Sequence, residues 1–275
     1  MANPKITTSQ LVLYGLPALV IGYMFILLSI YVLKYATDVL LIAPALMGTI
    51  FGLARIWDAL TDPVVGYLSD RTQSRFGRRR IWFIWSIGPI AFFYIMLYAS
   101  PVGLSPNLAA LWMGVAIFGF YTAMTAISVP HYSLGAEVTK DSYTRNKLFG
   151  MRHAMIGVGS VFALLTLAWL TSVDQNNLEQ LRSASLQSAI VASLLSTVGV
   201  LATAFLFKES AESSLAAPTP EKKGGQSLRT GAGVYAASRQ ILRNPHARLY
   251  ARRHGGHGQG DASGGSAQQW RAPSR

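Results

Sequence analysis

The sequence has no cysteine and few charged residues for its length. Of its 275 residues, 13% are charged and 51% are hydrophobic, whereas soluble domains average about 25% charged residues. The absence of cysteine excludes disulfides, thiolate metal sites and cysteine nucleophiles. The sequence also has no His/Asp/Glu cluster with zinc spacing, no Ser-x-x-Lys pair and no phosphate-binding glycine loop. We therefore expect a membrane protein without catalytic residues, without a cofactor and without a resident metal.

Six apolar runs are long enough to cross a bilayer. They are residues 11–33, 43–68, 81–98, 108–134, 151–170 and 186–207. A helix needs about 20 apolar residues to cross roughly 30 Å of hydrocarbon. We predict an all-α membrane protein whose six transmembrane helices form a bundle within residues 1–207. The alternative, six core helices of a soluble protein, would leave that protein too little polar surface.

The composition changes after residue 207 and becomes polar, basic and glycine-rich. We expect residues 208–240 to be a cytoplasmic linker, and residues 241–275 to be a basic, glycine-rich tail that is disordered or aberrant. After residue 250 the only aromatic side chain that could stack on a base is Trp270. Because no recognised RNA-binding module is present either, no nucleic-acid partner is expected.

The charges in the loops predict the orientation in the membrane. Basic residues between the second and third runs, and between the fourth and fifth, are Arg71, Arg75, Arg78, Arg79, Arg80, Lys140, Arg145 and Lys147. The other connections hold at most one basic residue each. By the positive-inside rule both basic loops and both termini are cytoplasmic. The predicted location is the inner (plasma) membrane, with the lipid bilayer as a partner.

The second run contains two acidic residues, Asp58 and Asp62, at the spacing of one helical turn. A helix places them on the same face. Charge at membrane depth is costly and is kept mainly for transport or proton transfer. Two carboxylates with oxygen ligands from a neighbouring helix suit Na⁺, and a carboxyl group in a low dielectric also suits H⁺. The alternative for Asp58 is a static salt bridge to Arg55.

Prolines and histidines mark further positions in the first, fourth and fifth runs. Pro17 and Pro130 each free a backbone carbonyl, which a neighbouring helix or water can satisfy in helices that line cavities. An ordinary kink is the alternative. His131 and His153 lie near the predicted cytoplasmic ends of their runs, where we expect them to be solvated, with proton relay as the alternative.

Three stretches resemble the glycoside–pentoside–hexuronide:cation symporters, a family of the major facilitator superfamily that includes the melibiose carrier. They are residues 55–72 (RIWDALTDPVVGYLSDRT) with 74–80 (SRFGRRR), residues 129–137 (VPHYSLGAE), and residues 145–148 (RNKL) leading to Arg152. Residues 242–246 (LRNPH) resemble the family's entry into its second half. The resemblance implies a fold of two six-helix bundles. This chain is expected to hold the first bundle, with the second six-helix half missing.

The resemblance also implies a function, namely secondary active symport of a cation, Na⁺ or H⁺, with a sugar or glycoside by alternating access. It implies that Asp58, Asp62 and Thr125 bind the cation and that Tyr132 and Arg152 bind the solute. It further implies a gating loop, in which an acid at a helix end and nearby arginines hold the cytoplasmic side closed. The residues of this loop are Gly66, Asp70, Arg71, Gly77 and Arg78.

Some of these assignments have simpler alternatives. Thr125 could merely bond the preceding turn of its own helix. Tyr132 could be an interfacial aromatic, and the loop arginines could serve only to orient the chain. The galactoside-binding residues of the melibiose carrier are mostly absent, because Ile21 and Gly22 replace its Lys–Asp pair and Ser128 replaces its acid on the fourth helix. Another glycoside, a uronate or a different solute therefore remains open.

Two other functional classes compete with symport. One is a non-transporting membrane fragment, whose interactions would come from its basic tail. The other is a membrane-embedded hydrolase that uses the two aspartates as acid and base, but the sequence offers no positioned nucleophile for it. We therefore expect that the protein is not an enzyme.

Overall fold

The computed structural model describes residues 6–139 and 141–207. Within them lie six α-helices: α1 (Thr8–Asp38), α2 (Pro44–Arg71), α3 (Arg80–Tyr98), α4 (Pro106–Glu137), α5 (Ser142–Ser172) and α6 (Leu178–Leu206). The predicted all-helical fold is confirmed. The predicted linker, the predicted tail and the stretch at residues 242–246 lie outside the described residues, so the division of the chain into domains stays a prediction.

Each predicted apolar run corresponds to one helix. Five of the six helices, all except α2, are long and apolar enough to cross a membrane by length and composition. The remaining helix, α2, has a comparable length of 28 residues. It carries Arg55, Asp58 and Asp62 in its central turns, and these charges lower its apolar character.

Polar residues define the starts of four helices. Thr7, Ser105, Asp141 and Asn177 each accept a hydrogen bond from the backbone N–H three residues later. This satisfies one of the N–H groups that have no partner in the first turn of a helix. Thr144 donates both its hydroxyl and its backbone N–H to Asp141, and these bonds lower the pKa of the Asp141 carboxyl. The cap is therefore ionised at neutral pH.

The helices pack in a symmetric order. α1 packs against α5 and α6, α4 packs against α2 and α3, and α3 contacts α6. The order across the bundle is thus α2–α4–α3–α6–α1–α5. Exchanging α1 with α4, α2 with α5 and α3 with α6 gives the same order in reverse, so the two helix triplets have the same pattern of neighbours. Among the five membrane-spanning candidates, α1 and α4 are the most buried and α5 is the least.

A hydrogen bond from α6 compensates for Pro17 inside α1. Proline has no backbone N–H, so the carbonyl of Leu13, four residues earlier, loses its partner within the helix. The Thr203 hydroxyl donates to this carbonyl at 2.6 Å. The freed backbone group is thus satisfied by a neighbouring helix, as membrane helices require.

The outward faces of α5 and α6 carry large apolar side chains. Leu164, Leu165, Leu194 and Leu195 are each at least 50% exposed. Extended apolar surfaces of this kind are unusual on soluble monomers. In a bilayer the same side chains contact acyl chains, so the exposed surface fits a membrane-embedded bundle.

Glycine allows α1 and α5 to approach closely. A β-carbon on Gly159 of α5 would lie 1.9 Å from the carbonyl oxygen of Leu19, and one on Gly22 of α1 would lie 2.3 Å from that of Ile156. Small residues at such positions let the backbones of membrane helices come into contact. Any side chain at Gly159 would force the two helices apart.

We expect Gly159→Ala to destabilise the bundle by about 1–3 kcal/mol, the usual range for overpacking. Gly157→Ala is the matched control, because a β-carbon there meets no atom within 4 Å. Thermal unfolding of the purified protein in detergent, followed by circular dichroism, measures the difference. Equal unfolding midpoints for the two variants would contradict the close contact.

Candidate cation and solute site

Three predicted cation ligands meet between α2 and α4. The Thr125 hydroxyl of α4 donates to the Asp58 carboxylate of α2 at 2.9 Å. Asp62, one turn further along α2, is close enough to the Thr125 side chain and the Asp58 carboxylate for electrostatic interaction, but the hydrogen bond from Thr125 goes to Asp58. Thr125 is 3% exposed, Asp58 is half-buried and Asp62 is exposed. The structure therefore brings Asp58, Asp62 and Thr125 together.

Arg55 contacts Asp58 without enclosing it. The nearest nitrogen–oxygen distance is 3.8 Å, and the Arg55 side chain is 61% exposed. Its guanidinium lies 5.4 Å from the centre of the Tyr121 ring, a cation–π distance. The salt bridge considered as the alternative for Asp58 is thus present, but it is long. Thr125 remains the closer partner of Asp58.

The oxygen atoms at this position suit a small cation. Carboxylate and hydroxyl oxygens are hard ligands. Alkali ions and protons bind such oxygens, whereas softer metals favour sulfur ligands. A hydroxyl that donates to Asp58 still keeps oxygen lone pairs for a cation. Two carboxylates one turn apart repel each other, so uptake of a positive charge between them is favourable. The site can hold Na⁺ or take up H⁺.

The two predicted solute residues also lie together. The Arg152 guanidinium of α5 stacks 3.5 Å from the centre of the Tyr132 ring of α4. Arg152 is 2% exposed and Tyr132 is 43% exposed. Phe149 lies beside them, with its ring centre 6.1 Å from that of Tyr132. Arginine donors next to an accessible aromatic ring are groups that bind hydroxylated solutes.

The expectation of a solvated histidine is wrong for His131. Its side chain is fully buried, and its ring packs against Tyr14 and Phe83 and accepts a hydrogen bond from Arg152. The position in sequence near the end of an apolar run gave no sign of this, because α4 continues beyond the run to Glu137. His153, in contrast, is exposed.

A buried arginine connects the loop after α2 with the end of α4. Arg79 is 5% exposed, and its guanidinium lies 2.5 Å from the Asp70 carboxylate and 2.7 Å from the Glu137 carboxylate. It also donates to the Ser69 hydroxyl at 2.7 Å. Arg78 adds a second contact to Glu137 at 2.9 Å. This network joins three segments at the end of the bundle that carries the basic loops.

The predicted gating residues take different parts in this network. Asp70 and Arg78 belong to it, whereas Arg71 donates to the Tyr67 hydroxyl on its own helix and lies over that ring. Gly77 adopts a φ of 100° in the turn before Arg78, a conformation that favours glycine. Gly66 lies on α2 where a β-carbon would contact Val129 of α4 at 3.7 Å.

Sequence reasoning missed the two residues that hold the network together, Arg79 and Glu137. Three consecutive arginines give no indication of which one is buried. Glu137 could have been found, because it is the only acidic residue of α4 and it follows a long apolar run. An isolated acid at such a helix end needs a basic partner.

We expect Arg79→Met to lower the free energy of unfolding by about 1–3 kcal/mol, because Asp70 and Glu137 lose a shared charged donor. Arg75→Met is the matched control, since Arg75 is exposed and contacts the Phe76 ring. Thermal unfolding in detergent compares the two variants. A midpoint for Arg79→Met as high as that of the control would show that the network does not stabilise the fold.

Comparison with known proteins places these features in a family. The family described as MFS/sugar transport protein matches residues 13–250. The inner membrane symporter YicJ of Escherichia coli (strain K12) is 26% identical over 219 residues, which are 80% of this chain and 46% of that protein. The putative glycoside/cation symporter YagG of the same organism is 26% identical over 157 residues, covering 57% and 34% of the two chains.

A third relative has a sugar in its name. The isoprimeverose transporter of Lactiplantibacillus pentosus is 30% identical over 147 residues, which are 54% of this chain and 30% of that protein. The chain thus spans less than half the length of each of these relatives.

The family match covers well over half of the chain, and it includes the acidic pair of α2, the basic loop and the α4–α5 region. The predicted resemblance is confirmed. The family is one of transporters and not of enzymes, so the hydrolase hypothesis has no support. This multi-pass membrane chain belongs to the MFS/sugar transport protein family.

Proposed function

We propose that the chain carries the cation site and part of the solute site of a symporter that couples Na⁺ or H⁺ to a sugar or glycoside. The observation that carries this proposal is the 2.9 Å bond from Thr125 to Asp58, with Asp62 one turn away. This hydrogen bond joins α2 and α4, and both its donor and its acceptor are oxygen atoms. Acidic groups placed in a membrane span are expensive, and they are kept where an ion or proton binds.

The relatives support the choice of solute and coupling ion. One of them is named as a putative glycoside/cation symporter and another as an isoprimeverose transporter. In this chain the proposed solute residues are Tyr132 and Arg152, which stack on each other. A guanidinium and an aromatic ring suit a hydroxylated ring compound, because one donates hydrogen bonds and the other covers an apolar face.

Coupling between ion and solute follows from the helices that the two sites share. An ion bound by Asp58, Asp62 and Thr125 removes the repulsion between the acids and draws α2 towards α4. Tyr132 lies on the same α4 helix, so a shift of that helix changes the solute position. Thermodynamic linkage then requires that solute binding strengthens ion binding by the same factor.

The proposed orientation places the basic end of the bundle in the cytoplasm. The loop that contains Arg78 and Arg79, together with Arg145 and Lys147 at the start of α5, satisfies the positive-inside rule there. The Arg79 network ties the loop to α4 at this end, and in the proposed mechanism its ion pairs break and re-form when the cytoplasmic side opens. Asp70, Arg78, Arg79 and Glu137 are therefore the proposed gating residues, and Arg71 contributes to topology.

The second candidate function is a cation-binding membrane fragment that does not transport by itself. The chain spans less than half the length of these relatives, so ion binding and solute flux by this chain are tested separately. The two candidates share the cation site and differ in solute flux. Uptake of labelled sugar into proteoliposomes that contain this chain, driven by a Na⁺ or H⁺ gradient, distinguishes them.

We expect the purified protein to bind ²²Na⁺ in a scintillation proximity assay, with a response that falls as pH is lowered if H⁺ competes for the same carboxylates. Asp58→Asn and Asp62→Asn should each weaken binding by roughly tenfold or more, because a charged ligand is lost. Thr125→Val should weaken it by roughly two- to tenfold, the equivalent of one neutral hydrogen bond.

Asp38→Asn is the matched control for this assay. Asp38 pairs with Lys34 at the far end of α1, so its substitution should leave ²²Na⁺ affinity unchanged. If Asp58→Asn and Asp62→Asn both bind ²²Na⁺ as tightly as the unmodified chain and the Asp38→Asn control, the proposed cation site is incorrect.

A further inference from the structure

The fully buried His131 joins three helices. Its Nε2 lies 2.8 Å from the backbone carbonyl oxygen of Tyr14 on α1, and Tyr14 in turn donates its hydroxyl to the His131 carbonyl at 3.2 Å. On the other side of the ring, Arg152 Nε of α5 donates to His131 Nδ1 at 3.4 Å. A single imidazole thus contacts the backbone of one helix and a guanidinium of another.

These partners determine the protonation state of the imidazole. The Nε–H group of an arginine can only donate, so His131 Nδ1 must be the acceptor. The Tyr14 carbonyl can only accept, so Nε2 must carry the hydrogen. His131 is therefore neutral, with its proton on Nε2. If Nδ1 also carried a hydrogen, two N–H donors, those of Nδ1 and Arg152 Nε, would face each other. The imidazolium and the guanidinium would then be two positive charges in contact.

Arg152 keeps one nitrogen without a partner. Its Nη1 is buried and makes no hydrogen bond within the structure. Among the residues that the structure describes, no carboxylate forms an ion pair with Arg152. Its contacts are the neutral His131 ring and the face of Tyr132. A buried guanidinium donor without an acceptor is costly, which indicates that something else binds to it.

We propose that His131 is a positioning residue, which fixes the Arg152 guanidinium through Nε and so leaves Nη1 free to donate to an oxygen of the solute. Tyr132 holds the flat face of the same guanidinium, and His131 holds its edge. The two contacts together leave the guanidinium little freedom to rotate. The inference rests on the proposed function only for the identity of the bound group, since the His131–Arg152 contact itself requires no solute.

Two substitutions separate the contacts that His131 makes. In His131→Gln the side-chain amide can reach the position of Nε2 and still donate to Tyr14, but it presents no acceptor to Arg152. In His131→Asn the shorter amide can place its oxygen near the position of Nδ1 and accept from Arg152, but it cannot reach Tyr14. Nuclear magnetic resonance of protein labelled with ¹⁵N-arginine, with Arg152→Lys to assign the signal, detects the Arg152 Nε–H group.

We expect the Arg152 Nε–H signal to be protected from solvent exchange in the unmodified protein and in His131→Asn, and to lose this protection in His131→Gln. Thermal unfolding should show the opposite pattern, with a lower midpoint for His131→Asn because the contact between α1 and α4 is lost. A purely structural histidine would affect stability alone. Protection retained in His131→Gln, or lost in both variants, would overturn the proposal.

A titration of the unmodified protein tests the free nitrogen directly. D-glucuronate and D-glucose are the two probes, since they share a ring and differ in whether C6 is a carboxylate or a hydroxymethyl carbon. A shift of the Arg152 side-chain signals with either probe supports the role of Nη1, and the stronger response identifies the preferred oxygen. If neither probe shifts them, Nη1 does not bind solute and the proposal fails. The ²²Na⁺ assay on the same sample reports separately whether the proposed function holds.

Discussion

Polar groups inside the hydrocarbon must find partners within the protein, and this constraint governs the whole bundle. The carbonyl freed by Pro17 receives the Thr203 hydroxyl, and the Asp58 carboxylate receives that of Thr125. Each of these bonds joins two helices, so satisfying a polar group also fixes how the helices pack. Two further polar groups are those proposed here to meet a ligand: Asp62, which is exposed, and Arg152 Nη1, which is one of several buried polar atoms without a hydrogen-bond partner among the described residues.

Helix number and type could be predicted from apolar run length, because the bilayer sets a minimum span. Helix ends could not, since polar residues can continue a helix beyond the hydrocarbon. α5 begins at Ser142, well before the apolar run at residue 151, because Asp141 caps it and the intervening polar residues tolerate helix. The sequence also could not predict which helices are neighbours, because apolar faces of similar composition do not specify which helix packs on which.

The candidate site shows the same limit at the level of single residues. The one-turn spacing of Asp58 and Asp62 is readable from sequence, but Thr125 is far away in the chain and entered only through the family resemblance. The resemblance named Asp70 as a gating residue but did not identify its partner Arg79. His131 was expected to be solvated and is fully buried. In each case, the partner is set by the packing of separate helices, which local sequence patterns do not encode.

A short segment of α4 joins the residues proposed to bind the cation and the solute. Thr125 and His131 are separated by less than two turns, or about 9 Å along the helix axis. Pro130 lies between them inside the helix, and its missing N–H removes one of the hydrogen bonds that would stiffen this segment. In the proposed function, a movement of Thr125 towards an ion would bend α4 at the point where His131 contacts Arg152. The proposed coupling then needs no longer pathway than this segment, because both proposed binding groups would bias the position of the same helix.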